Sequence, residues 1–189
     1  MDTTDGAAQV ALLQSMSTLP GYSSEADLLA ACRRQDIAAF EALYKQHGSR
    51  LKSIAYRIVG NRQDAEDAVQ ETFLRGYRSI HGFKGQSSLG TWLCRIAVNV
   101  CYDIARKRKP ETEFTDVHEK RSQGPNMRLA LEDAIQKLNS NYRTVFVLFA
   151  VEGMRHAEIA SILQIPEGTS KSWLFEARKE LQRMLEAKR

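Results

Sequence analysis

The sequence predicts an all-α protein of two small helical domains joined by a flexible linker, the C-terminal one a helix-turn-helix. Three observations predict it. Apolar residues recur at three- and four-residue spacing from Leu28 to Leu185. No stretch alternates apolar and polar residues as a half-buried strand does. One polar, acid-rich stretch broken by Gly124-Pro125 divides the helical pattern in two. The 189 residues leave room for two modest cores. At 43% hydrophobic and 26% charged, the composition is that of a water-soluble globular chain and excludes wholesale disorder.

Residues 1–23 carry Asp2 and Asp5 but no Lys or Arg, and their apolar run from Val10 to Leu13 is far shorter than a secretory core or a membrane span. They are expected to form a flexible N-terminal extension ending where Ser24 can cap a helix. Leu28, Leu29 and Cys32, then Phe40, Leu43, Tyr44 and His47, predict a helical pair with a break near Gln35-Asp36. Leu51, Ile54, Ala55 and Ile58 continue the second helix to Gly60, which suits a helix end; Asn61 suits the next cap. The helix from about Arg62 turns Ala65, Ala68, Val69, Thr72 and Phe73 inward. It leaves Asp64, Glu66, Asp67 and Glu71 mostly outward as an acidic ridge. A glycine-containing loop from His81 to Ser88 leads to a helix marked by Trp92, Leu93, Ile96, Ala97, Val100 and Ile104, which ends in Arg106-Lys107-Arg108-Lys109 before Pro110. The first domain is therefore 24–109, the linker 110–126 and the second domain 127–189.

Leu131, Ala134, Ile135 and Leu138 open the second domain, which pauses at Asn139-Ser140-Asn141 and resumes with Tyr142, Val145, Phe146 and Phe149. The run from Val145 to Val151 resembles a strand in isolation, but its neighbours all carry the helical period, so it is assigned to a buried helix. Gly153 ends it. Ile159, Ile162 and Leu163 mark a short helix, Gln164-Ile165-Pro166 a tight turn, and Leu174, Ala177, Leu181 and Leu185 the inner face of a last helix.

Lys and Arg total 27 against 23 Asp and Glu, a formal net charge of +4. Their segregation suggests one surface for a polyanion and another for a basic protein. Residues 155–180 have the helix, turn and helix of a DNA-reading motif. The second helix offers its free amides to phosphate or base edges and carries Thr169, Lys171, Ser172, Trp173, Phe175, Arg178 and Lys179 on or beside its outer faces. The same spacing fits an ordinary helical hairpin with solvated charges. The segment from Phe83 to Lys109 combines small polar loop residues, an outward Asn99 and a basic end, the parts that single-stranded DNA requires. Trp92, at helical spacing with Ile96, fits the core better than a stacking platform, and the basic end is also what a helix dipole favours at a solvated terminus.

The acidic ridge lacks the histidine that metal sites usually recruit and reads better as a protein-docking face. His47, His81, His118 and His156 are scattered, and no HExxH, nucleophile elbow or phosphate-binding glycine loop occurs. Cys32, Cys94 and Cys101 are an odd set without CxxC spacing, neither a disulfide framework nor a zinc site, and fit a reducing compartment. No catalytic, metal or cofactor site and no membrane insertion are predicted; the expected location is the cytoplasm.

Three ordered blocks, DAEDAVQETFLRGYR at 64–78, FKGQSSLGTWLCRIAVNVCYDIARKRK at 83–109 and EGMRHAEIASILQIPEGTSKSWLFEARKEL at 152–181, resemble extracytoplasmic-function sigma factors of bacterial RNA polymerase. The resemblance implies a non-enzymatic initiation factor that joins core RNA polymerase, recognises promoter DNA and answers to an anti-sigma factor. It makes 24–109 the region 2 domain and 127–189 the region 4 domain. Asp64, Glu66, Asp67, Gln70 and Glu71 then fall on the polymerase-docking helix. Lys84, Gln86, Ser87, Ser88, Thr91, Arg95 and Asn99 would meet the single-stranded minus-10 element, with Arg106, Lys107 and Arg108 near phosphates. Arg155 and Ser170 join the seven outer residues of the last helix as contacts to the duplex minus-35 element, and the linker would run toward the RNA exit path. Family members usually have an aliphatic residue where Ser170 stands and often an arginine where Trp173 stands; Trp173 either touches a thymine methyl or packs inward. Two other readings fit parts of the sequence: a stand-alone helix-turn-helix regulator, and a sigma-like adaptor that binds protein only.

Overall fold

The computed structural model describes residues 21–107 and 127–186. Residues 1–20, Arg108 and the linker 110–126 lie outside the described residues. Every described element is helical.

Short polar side chains set the helix starts of the first domain. Helix α1 (Glu25–Arg33) begins where the Ser24 hydroxyl accepts the Asp27 amide. Gln35, at φ 59°, turns the chain, and the Asp36 carboxylate accepts the Ala38 amide to open α2 (Ile37–Val59). Gly60 ends α2 in the left-handed region at φ 85°, a conformation that costs any L side chain about 1–2 kcal/mol. The Asn61 side chain accepts the Asp64 amide at 2.8 Å and starts α3 (Arg62–Ser79). Such caps contribute about 1 kcal/mol each by satisfying amides that have no partner within the helix. After one 3-10 turn (Ile80–Gly82), Ser88 caps α4 (Leu89–Lys107) by accepting the Thr91 amide.

Helices α2, α3 and α4 pack mutually, with α1 against α2 and the 3-10 turn. Leu43, Leu51, Ile54, Ala65, Ala68, Leu93, Ala97 and Val98 fill the space between them. Gly76 permits the close approach of α3 to α4, because a β-carbon there would lie 3.2 Å from a Leu93 methyl.

The second domain contains α5 (Met127–Lys137), α6 (Ser140–Phe146) running into a π-helical turn (Val147–Val151), α7 (His156–Leu163) and α8 (Glu167–Glu186). The apolar run assigned to a buried helix is thus helical throughout, its second half widened into the π turn. Helix α8 packs on α5, α6 and α7. Ala134, Ile135, Leu138, Val147, Ala177 and Leu181 form a small core of its own.

The two domains also pack on each other, which the sequence pattern did not indicate. Helix α7 lies on α4, while α2 touches α5, α6 and the π turn. Val145, Leu148, Met154, Ile159, Ile162 and Leu174 join a cluster continuous with the core of the first domain. Periodicity marks which face of a helix is buried; it does not say which partner buries it.

Candidate nucleic-acid and protein interfaces

Helix α3 presents the acidic ridge, but part of its charge is already paired. Glu66 accepts from Lys52 of α2 at 2.6 Å and from Arg62 at 3.2 Å, contacts that hold its carboxyl below the usual carboxylate range. Glu71 accepts from Arg75 at 2.7 Å, and Arg75 also reaches Asp103 of α4 at 2.9 Å. The Asn61 amide donates to the Asp64 carboxylate at 2.8 Å. Asp67 and Gln70 are exposed, and Leu74 beside them is 51% exposed. An open groove of about 410 Å³ between α3 and α4 is lined by Asp67, Gln70, Glu71 and Leu74 on one side and Val100, Asp103 and Ile104 on the other. The ridge is therefore a mixed surface with an apolar element. Arg62 and Arg75 could have been read from their four-residue spacing to Glu66 and Glu71; Lys52 could not, because it comes from another helix.

The loop between α3 and α4 is anchored at both ends. Phe83 is buried, its ring 5.2 Å from that of Trp92, and its carbonyl accepts from Arg33 at 2.8 Å. At the other end the Leu89 amide donates to the Glu25 carboxylate. Both anchoring side chains come from α1, and neither was singled out in the sequence. Between the anchors Lys84, Gln86, Ser87 and Ser88 are exposed, and Gly85 takes φ 70°. The chain thus holds a short polar loop away from its core at a set span.

Thr91, Arg95 and Asn99 follow at four-residue intervals on one face of α4. Thr91 and Arg95 are half-buried, and the Thr91 hydroxyl lies 3.0 Å from that of Ser88. Asn99 is exposed and opens on a groove of about 630 Å³ shared with Tyr102, Arg106, Ser140 and Asn141. Arg106 pairs with Asp103, whose carboxyl is held low by Arg75 first and Arg106 second. Lys107 is exposed. Trp92 is half-buried against the core, as its spacing suggested.

In the second domain α7, the turn at Gln164 (φ 56°) and α8 form the helix-turn-helix. Lys171, Ser172, Arg178 and Lys179 are exposed, Phe175 is 65% exposed, Thr169 is half-buried, and Arg155 stands in solvent at the start of α7. Lys171 also pairs with Glu167 at 2.7 Å. Ser170 departs from its expected place on the reading face: it is 0% exposed, and its hydroxyl lies 2.9 Å from His156 Nδ1. The signal was available, because 170, 174, 177 and 181 make one inward stripe at helical spacing. Trp173 is half-buried and packs against the continuous core. The His156 ring stacks on Phe149 at 4.6 Å, and the Arg178 guanidinium lies 5.5 Å from the Phe149 ring, so the π turn, α7 and α8 are locked by one aromatic and cationic stack.

Among the described residues no group of three or more His, Cys, Asp or Glu side chains could hold a metal ion. No described helix is long and apolar enough to cross a membrane. The cysteines are buried; desolvation pushes the Cys32 thiol up to about 11 and those of Cys94 and Cys101 to about 12, so all three stay protonated near neutral pH.

The family description of Sigma-70 region 2 matches residues 43–111, and that of Sigma-70, region 4 matches 128–181. The chain is 30% identical over 178 residues to the RNA polymerase sigma-H factor of Pseudomonas aeruginosa, covering 84% of this chain and 92% of that protein. It is 32% identical to the ECF RNA polymerase sigma factor SigW of Bacillus subtilis, covering 81% and 92%. Its fold matches the sigma factor RpoE solved with the anti-sigma factor NepR from Bartonella quintana, with TM-score 0.66, 25% identity and coverage of 79% of this chain and 98% of that one. It also matches CnrH solved with the cytosolic domain of CnrY, with TM-score 0.67, 27% identity and coverage of 85% and 96%.

Proposed function

Because this chain belongs to the extracytoplasmic-function sigma factors of the sigma-70 family, we propose that it joins core RNA polymerase through α3, opens the minus-10 element with the loop before α4, and reads the minus-35 element with α8. Polymerase supplies the catalysis, and the protein acts in the cytoplasm.

The observation that carries this reading is the anchored loop. A flipped base needs a rigid rim with hydrogen-bonding groups and a path to nearby cationic charge. Arg33 and Glu25 hold the rim, Gln86, Ser87 and Ser88 present polar groups beyond it, and Arg95, Asn99, Arg106 and Lys107 continue along α4. Core polymerase meets the exposed Asp67 and Gln70 together with the apolar Leu74. Charge on the ridge steers the encounter and the apolar contact holds it. In the second domain Lys171, Ser172, Phe175, Arg178 and Lys179 face the major groove, with Arg155 placed for a phosphate. Ser170 positions α8 from within, through His156. The neighbouring structures of RpoE with NepR and of CnrH with CnrY support control by an anti-sigma factor.

Run-off transcription from a pool of genomic promoter fragments, with core polymerase and with or without the protein, tests the reading. Transcripts starting at one shared bipartite motif are expected, and Asn99→Ala is expected to lower promoter opening more than polymerase binding. Polymerase binding without initiation would favour the adaptor; duplex binding without polymerase would favour a stand-alone regulator.

A further inference from the structure

We infer that Glu176 is a specificity-determining residue of the minus-35 reading helix, and that it selects a cytosine by accepting a hydrogen bond from its exocyclic amino group in the major groove. The inference rests on the reading of α8 proposed above and adds one residue and one base to it.

An α-helix turns about 100° per residue, so the outer side of α8 divides into two stripes. Lys171, Phe175 and Arg178, at spacings of four and three residues, make one that is cationic and aromatic. Thr169, Ser172 and Glu176, at spacings of three and four, make the other, which carries two hydroxyls and one carboxylate. Glu176 stands only about 40° around the helix from Ser172 and about 60° from Lys179, both exposed, while Leu174 and Ala177 turn into the core. Within the protein this carboxylate has nothing to do. Glu167 accepts from Lys171 at 2.7 Å, and Glu186 accepts from Gln182 at 2.8 Å. Glu176 is half-buried and forms no hydrogen bond or ion pair with any described residue, although Lys179 stands at a spacing that permits one. Its neighbour one turn on is Glu180, a like charge that opposes the helix rather than supporting it.

A carboxylate brought against duplex DNA meets one phosphate charge per about 1.7 Å of helix axis and is repelled unless a base offers it a donor. In the major groove only cytosine and adenine present an amino group. Adenine sets the acceptor N7 beside its amino group, and that lone pair repels a carboxylate; cytosine carries no acceptor on that edge. Cytosine N4 is therefore the partner that Glu176 fits, whereas a glutamine, which both donates and accepts, spans the adenine pair. Repulsion is half of the selection, because an unanswered carboxylate lowers affinity for every wrong base pair. Ser172 and Glu176 are about 6 Å apart along the helix axis, so the cytosine lies within about two base pairs of the base that Ser172 meets. Glu180 stands a further turn from the amino end, and recognition helices meet base edges with their amino-terminal residues.

The test is selection from promoter fragments randomised across the minus-35 element, with the minus-10 element of a transcribed fragment held fixed. Holoenzyme is reconstituted from core polymerase and the full-length chain, and the bound DNA is sequenced for the parent, Glu176→Gln and Glu176→Ala. At one position the parent is expected to favour a C·G pair about tenfold over the other three pairs. Glu176→Gln is expected to move that preference to adenine and Glu176→Ala to erase it, with the neighbouring positions unchanged. Both variants should bind the pairs that the parent rejects there at least as well as the parent does, since the repulsion is gone. A loss spread evenly over all positions would mean that Glu176 only supports packing, and it overturns the inference. So does a parent motif that neither substitution alters, or an altered position where the parent's base is not cytosine. If the parent holoenzyme opens the fixed minus-10 element but selects no minus-35 motif, the reading of α8 itself fails; a motif independent of Glu176 overturns this inference alone.

Discussion

The two domains differ in how they acquire a core. The first closes three long helices on themselves, with most of its buried leucines and isoleucines meeting other residues of α1 to α4. The second, about 60 described residues, has six buried apolar residues of its own and contributes six more to the cluster continuous with the first domain. A chain of that size hides only about 60% of the surface its unfolded form exposes. The comparison teaches that the smaller domain gains stability by leaning on the larger, since half of its buried apolar residues belong to the core that the two share.

The hardest way to break this comparison is to separate the domains. Residues 127–189 alone are expected to be about 3–5 kcal/mol less stable than the same domain in the intact chain, since Val145, Leu148, Ile159 and Ile162 lose part of their cover. Residues 24–109 alone should lose less. Urea denaturation of the two pieces and the whole decides it, and equal losses would end the asymmetry. Next in size, Arg143→Ala leaves the Ile58 and Leu138 carbonyls without their donor and is expected to cost about 2–3 kcal/mol, read as a lower urea midpoint. Arg143→Lys should recover only part, because an ammonium cannot span two helix ends.

A smaller effect probes how the first domain holds its loop. Arg33→Ala frees the Phe83 carbonyl, worth about 1 kcal/mol, so promoter opening should fall about fivefold while polymerase binding stays unchanged. A permanganate footprint of the melted strand reports the first and a binding titration the second; a joint loss would mean that α1 supports the whole domain.

The smallest expected effect is on pH dependence. His47 lies between α2 and α4, where a β-carbon at Gly90 would meet its ring at 2.9 Å. Burial, then Arg50, pull its pKa below the ordinary 6.5, with Glu25 opposing them. Below 6.5 the unfolded chain therefore binds more protons at this site than the folded one, and stability falls as the pH drops from 7 until the folded pKa is reached. His47→Gln should flatten this slope. An unchanged slope would place the pH dependence elsewhere.

Much of the local structure was legible because its causes are local. Ser24, Asn61 and Gly60 mark helix ends with their own side chains or their own φ. The acidic ridge, the polar loop and the outer face of α8 could be read from spacing, and so could the inward place of Ser170, since it falls in step with Leu174, Ala177 and Leu181. Other parts were not legible. Lys52 on Glu66, Arg33 on the Phe83 carbonyl, Glu25 on the Leu89 amide and Arg143 on the Ile58 carbonyl join residues 14 to 85 positions apart, and nothing in the identity of either partner names the other.

The sequence by itself determined an all-α chain of two helical units, their caps and inward faces, and the family blocks that imply promoter recognition. Those follow from backbone preference and periodicity, which act over a few residues. Only the tertiary structure decided that α1 anchors the loop, that the ridge is partly neutralised, and that the second domain rests on the end of α2. Each depends on where a distant side chain arrives once the cores have packed, and packing selects its partners by shape and unsatisfied polarity, which a linear pattern does not encode.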